Sequence, residues 1–200
     1  MDFFANIREA YEDEIHEISK LLSVAYYDDI FFKWCVPDDK ERLNVVKEYY
    51  EVYLKSRGCI SHVALNENDK IIGATVWLPH DADESIYTEI ERVAQKDAPQ
   101  FASVAEKSHK NEPKGIPFYQ LVGFGVVKSM QGFGVGIELL KHNLNIQDKA
   151  GIDTYLEAST PFTGGGVYGK FGYKPYGDFP MKFAENAVLY PLYRKANNNK

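Results

Sequence analysis

Six residues at 131–136, Gln-Gly-Phe-Gly-Val-Gly, stand directly ahead of an amphipathic stretch. Glycines at 132, 134 and 136 let a backbone wrap closely around a guest. A helix starting there offers unpaired N–H groups and the positive end of its dipole. The natural guest is an anion, a pyrophosphate above all; the alternative is a glycine-rich turn that holds nothing. Two other phosphate loops are excluded. A Walker loop needs Lys and then Ser or Thr after its glycines, and this chain has Ile137 and Glu138 there. A dinucleotide fingerprint needs GxGxxG in the first strand–turn–helix unit; here the spacing is GxGxG and a hairpin pattern precedes it.

Other chemistry is set by what the sequence lacks. Cys35 and Cys59 form no CxxC pair, and the histidines show no HxH or HExxH pattern, so no metal is expected and both thiols are expected reduced. The net charge is −6. No basic stripe is present, which argues against a nucleic-acid partner. An acidic field serves solubility or weakly favours a cationic substrate. No apolar run approaches the ~20 residues of a membrane span. The start, MDFFANIREAYEDE, lacks the basic-then-apolar order of a signal peptide, so a cytoplasmic protein is expected.

The elements that must position this chemistry follow from periodicity. The 200 residues, 44% hydrophobic and 26% charged, suit one domain over 1–195 with a polar tail at 196–200. Strands are expected at 3–10, 59–67, 71–79, 118–126 and 152–159, with a final pair at 173–181 and 186–193. Helices are expected at 12–26 and 40–56, over most of 83–107, and after the glycines to 150. Residues 28–39 are expected to be irregular, because Pro37 blocks a regular helix. Gly123 and Gly125 inside a strand point to a bulge or to close approach of another backbone or ligand. The order predicts an α/β (α+β) domain: a mixed central sheet flanked by helices.

Gln131, Gly134 and Gly136 match the Q/R-x-x-G-x-G/A motif that follows the fourth strand of the GNAT N-acetyltransferase superfamily. The chain resembles that superfamily over nearly its whole length. LVGFGVVKSM resembles the strand that pairs with pantetheine, although the usual proline between Val126 and Gln131 is missing. YLEAS at 155–159, followed by YGKFGY at 168–173, resembles the next strand and the Y-x-x-x-G-F/Y element, and NIREA resembles the first strand. VWLPHDA at 76–82, the loop near His109 and LEAS-x-P at 156–161 are similar to puromycin-type small-molecule N-acetyltransferases. Relatives carry an Asn within the stretch matching 162–167; here it reads FTGGGV, which removes one cofactor contact or moves it to Thr163 or a glycine N–H.

The resemblance implies the GNAT fold and acetyl-CoA as cofactor, held by Val126, Gln131, Gly132, Phe133, Gly134, Val135, Gly136 and Ile137. It implies direct acetyl transfer to the primary amine of a small molecule, by a monomer or homodimer. Such transfer needs removal of an amine proton, an oxyanion donor and an acid for the leaving thiolate. Tyr168 falls on the tyrosine that serves as that acid; the alternative is a packing tyrosine. The oxyanion donor is expected to be a backbone N–H of the strand ending at Val126. Glu157 is expected to act as base, directly or through water; it otherwise binds the ammonium or makes a structural hydrogen bond. His109 is a loop alternative, or a plain surface histidine. Tyr27, Phe31, Phe32 and Trp34 are expected to line the acceptor pocket, where at least two of them serve the core instead. Trp77 is pocket wall or core. Two other functions stay open: acetylation of protein lysines or N-termini, and an acyl-CoA sensor without catalysis.

Overall fold

The computed structural model describes residues 6–164 and 166–197. Residues 3–5 of the predicted first strand, Gly165 and the end of the tail lie outside the described residues. Eight strands form the sheet: β1 (Asn6–Glu9), β2 (Ile60–Leu65), β3 (Ile71–Pro79), β4 (Phe118–Val126), β5 (Asp153–Ala158), β6 (Lys174–Pro175), β7 (Met181–Lys182) and β8 (Val188–Arg194). Their order is β1-β2-β3-β4-β5-β8-β6, and β7 pairs with β8. Every described pairing is antiparallel except β4 with β5. The predicted strand at 173–181 is instead two short pieces, β6 and β7, separated by a turn through Gly177 at φ +59°.

Among the described residues, seven α-helices accompany the sheet: α1 (Ile15–Ala25), α2 (Ile30–Cys35), α3 (Asp39–Leu54), α4 (Ser85–Ala94), α5 (Ala98–Asn111), α6 (Val135–Ala150) and α7 (Val167–Lys170). The segment expected to be irregular holds α2. Asp29 caps it by accepting from the N–H groups of Phe31 (2.9 Å) and Phe32 (3.1 Å), and the helix closes before Pro37. The stretch at 83–107 is two helices, broken at Gln95, which adopts φ +50°; the second runs on to Asn111.

Alternation along the strands divides the core between the two faces. Val63, Ala74, Val76 and Leu78 pack with Ile18 and Leu22 of α1 and with Val46 and Tyr50 of α3. On the opposite face Ala64 and Ile72 pack with Val135 and Leu139 of α6, and Trp77 joins Leu140, Leu144 and Leu156. Trp77 is therefore core, wholly buried.

Two glycines of β4 permit this layering. A Cβ on Gly123 would stand 2.9 Å from the Tyr50 ring, and one on Gly125 would stand 3.0 Å from Leu22 and 3.1 Å from Ala25. Beside them β4 carries an extra residue, Val122, opposite the Val76–Trp77 step. The bulge expected of the strand glycines is present, and what approaches them closely is side chains of α1 and α3 rather than another backbone or a ligand.

Candidate active site

The parallel pair β4–β5 is short. It runs only from Phe118–Asp153 to Leu121–Leu156, although β4 continues to Val126 and β5 to Ala158. Beyond Leu121 the two strands part, leaving a wedge with a free β4 edge. There the Phe124 N–H donates to the Tyr26 hydroxyl (3.2 Å), and that hydroxyl donates to the Phe124 carbonyl (3.1 Å).

The glycine loop stands at the end of β4. Val126 leads into a 3-10 turn at Lys128–Met130, and the Gln131 side-chain amide donates back to the Val126 carbonyl (3.1 Å). Gly132 (φ +84°) and Gly134 (φ +87°) are left-handed, a region costly for other residues. Gly134 is the N-cap of α6 and supplies no side-chain cap; the first intrahelical bond runs from the Glu138 N–H to the Gly134 carbonyl (3.0 Å). The N–H groups of Val135, Gly136 and Ile137 therefore face the helix end. Gly136 lets α6 approach β4 closely, since a Cβ there would stand 3.0 Å from the Phe124 ring. The Val135 side chain is buried and the Phe133 side chain is 64% exposed, so the loop's donors are main-chain groups. A Cβ on Gly132 or Gly134 would meet nothing within 4 Å, so the cradle is open on that side. These features fit the pyrophosphate of coenzyme A.

From the wedge a cavity of about 320 Å³ enters the layer between the sheet and helices α1–α5. Phe31, Phe32, Tyr49, Tyr50, Tyr53 and Phe101 give it an aromatic wall. Tyr49 and Tyr53 meet edge-on, with ring centres 4.8 Å apart and a hydroxyl–hydroxyl bond of 3.2 Å. Asp29 and Ser159 line the cavity too: besides capping α2, Asp29 accepts from the Ser159 hydroxyl at 2.6 Å.

Glu157 and Tyr168 both face this cavity. One Glu157 oxygen accepts from the Ser108 hydroxyl (2.6 Å), and the other accepts from the Tyr155 hydroxyl (2.7 Å), which in turn accepts from the Asn111 amide (3.1 Å). Burial pushes the Glu157 carboxyl up to about 7 against the opposing pull of these two donors. Tyr168, on α7, packs edge-on against Tyr173 at 5.8 Å. Burial, and secondarily the nearby Tyr26 and Tyr173, raise its phenol well above the ordinary range, so it carries its proton at neutral pH.

The residues expected from sequence separate here. Phe31 and Phe32 reach the cavity wall. Tyr27 does not: its ring lies 5.3 Å from the Arg42 guanidinium. Trp34 packs on Phe31 (5.8 Å) and Phe183 (5.7 Å), outside the wall. His109 is not on a loop but in the last turn of α5, exposed, with Nδ1 3.6 Å from Glu112. Thr163 accepts through its carbonyl from the Gly166 N–H (2.9 Å) and shapes the turn before α7. The sequence reading did not single out Tyr26, Asp29, Ser108, Glu112, Tyr155 or the α3 tyrosines. The Tyr49–Tyr53 spacing, one face of a helix, was the one local signal among them. Among the described residues, no three His, Cys, Asp or Glu side chains are grouped to hold a metal, and no helix is long and apolar enough to cross a membrane.

No family model and no curated protein matches the sequence. Solved structures do match the fold. A structure described as histone acetyltransferase HPA2 and related acetyltransferase, from Corynebacterium glutamicum, aligns with TM-score 0.71 at 18% identity, over 96% of this chain and 97% of that one. Arylalkylamine N-acetyltransferase 2 from Aedes aegypti aligns with TM-score 0.64 at 12% identity, over 96% and 98%. An N-acyl amino acid synthase from uncultured soil microbes aligns with TM-score 0.57 at 11% identity, over 97% and 92%.

Proposed function

Starting from the GNAT acetyltransferase fold of this chain, we propose that it transfers acetyl from acetyl-CoA to the primary amine of a small molecule with an apolar or aromatic body. The observation that carries this reading is one continuous cavity. It joins the free edge of β4 to a carboxylate tuned to neutrality, with a protonated tyrosine on the same wall. Coenzyme A, when bound, supplies an acetyl group activated as a thioester.

The chain's own residues do the rest. The N–H groups of 132–137 bind the pyrophosphate, with Gln131 bracing the loop through Val126. Glu157 accepts the ammonium proton and so frees the nitrogen to attack. A base with a pKa of about 7 is well matched to work near neutral pH. The Phe124 N–H, on the free edge, stabilises negative charge on the acyl oxygen once the Tyr26 hydroxyl gives way. Tyr168 protonates the departing sulfur, and the second proton that the nitrogen loses as it becomes an amide restores the phenol. The aromatic wall excludes water and holds the body of the amine.

A cavity of about 320 Å³ with an aromatic wall suits a small acceptor with an apolar body better than an extended protein segment. The arylalkylamine acetyltransferase among the similar structures is consistent with such an acceptor. The test is incubation with acetyl-CoA and a panel of amines, following free thiol. Turnover with 2-phenylethylamine or 3-phenylpropylamine is expected. Tight coenzyme A binding without turnover on any amine would leave a sensor. Turnover only on peptides would leave a protein acetyltransferase.

A further inference from the structure

Glu157 lines a cavity walled largely by aromatic side chains, and each acetylation of an ammonium releases one net proton that has to reach solvent. Beside the main cavity lies a second one of about 70 Å³, room enough for water. The two share Tyr53, Leu78, Tyr87, Glu112 and Gln120 as walls. The smaller one reaches His80 and His109 at the surface. Glu112 stands between them: its side chain is 13% exposed, and its Oε2 is 3.6 Å from Nδ1 of His109, which is 59% exposed.

We propose that Glu112 and His109 carry the proton accepted by Glu157 out to solvent; this rests on the acetyl-transfer reading above. The balance is simple. The ammonium N–H bond breaks and an O–H bond forms on Glu157. That proton passes through water to the Glu112 carboxylate, which restores Glu157 as a base. It then moves to the His109 imidazole, which is exposed to bulk water, and leaves. No other reactant is consumed.

The surroundings favour transfer over permanent ionisation. Glu112 faces His109 and Lys114 at its own end of α5, Tyr53 of α3, Tyr87 of α4, Glu157 and Tyr155 of β5, and His80 across the small cavity. Burial raises its carboxyl, and His109 and Lys114 partly offset this. The two carboxylates also oppose each other's charge, so a proton on one is readily handed to the other.

The experiment compares the parent with E112Q and H109Q, using acetyl-CoA and 2-phenylethylamine at minimal buffer. Steady-state kcat is expected to fall ~10-fold or more in each variant, less than the ~10²–10⁴-fold cost of losing the base itself. Single-turnover rates at alkaline pH stay close to the parent, because Glu157 starts deprotonated. Added imidazole restores kcat. Unchanged kcat in both variants, a loss that imidazole does not relieve, or a rise in KM alone overturns the relay; the last would make Glu112 a binding group. His109 is exposed, so H109Q decides the matter even where E112Q fails to fold. A parent chain that releases no thiol with any amine of the panel overturns the acetyl-transfer reading itself, whereas an active parent with fully active variants overturns only the relay.

Discussion

The hydroxyl of Tyr26 occupies both main-chain polar groups of Phe124, at 3.2 Å from the N–H and 3.1 Å from the carbonyl. It therefore competes with any ligand that pairs with the free edge of β4. Tyr26→Phe removes the competitor and leaves two backbone groups unpartnered in the cofactor-free protein, at a cost of about 1–3 kcal/mol in stability. The same change is expected to tighten coenzyme A binding roughly fivefold, since displacing a net hydrogen bond costs about 1 kcal/mol. Calorimetric titration checks this; weaker binding by the folded variant would make Tyr26 a cofactor contact.

Gly134→Val tests the loop. An added Cβ meets nothing within 4 Å, but φ is +87°, so the damage comes through backbone conformation, worth ~1–2 kcal/mol. Coenzyme A affinity is expected to fall, while Gly→Ala at exposed Gly115, which also meets nothing and has φ +73°, leaves it unchanged. Equal affinities in the two folded variants would remove the loop from the site.

Tyr168→Phe keeps the ring that packs on Tyr173 and deletes the proton donor. Single-turnover acetylation is expected to slow by ~10²–10⁴-fold, with coenzyme A affinity little changed. A chemical rate within about threefold of the parent would leave Tyr168 as packing alone.

The pH profile reports on Glu157. With its carboxyl at about 7, the base form is scarce below that pH and full above it, so kcat/KM should rise through pH 7 and then level. Glu157→Gln should lower the plateau by ~10²–10⁴-fold and abolish this limb. A limb that survives the substitution belongs to another group.

Stability should respond to His62. Burial, and then His142, lower its pKa from 6.5 to about 4, with the two rings 4.9 Å apart. Between those values the unfolded chain binds the proton and the native chain does not, so this pair costs stability as pH falls from 6.5 towards 4. Glu157 acts oppositely: raised from 4.5 to about 7, it contributes stability at low pH that is lost as pH rises through 7. The difference between parent and His62→Phe isolates the histidine. Thermal melts at pH 7.5 and 5 should show a smaller acid loss in the variant; an equal loss would assign the acid sensitivity elsewhere.

Much of the frame was legible locally. The apolar runs at 71–79 and 118–126 coincide with β3 and β4 in full; β3, buried at every residue but Pro79, announces itself by composition. The glycine loop and the order of elements followed from the same kind of signal. The cavity did not. Tyr26 and Tyr27 are neighbours at the end of α1, yet a one-residue step turns a side chain by about 100°. One faces Phe124 and the other faces Arg42. The partners of Glu157 lie 49 residues upstream at Ser108 and two residues away at Tyr155, and nothing in either local pattern marks them as a pair. Pro37 was read as a breaker and the helix does close before it, but Asp29 caps a short helix, α2, in the segment ahead.

The open cradle at 132–137 offers only peptide N–H groups, which every residue but proline possesses. What such a cradle demands of a gene is therefore a path for the backbone: two left-handed turns and one close crossing. Side chains around it are not asked to donate, so the shape of the loop, rather than their identity, sets whether an anion can fit.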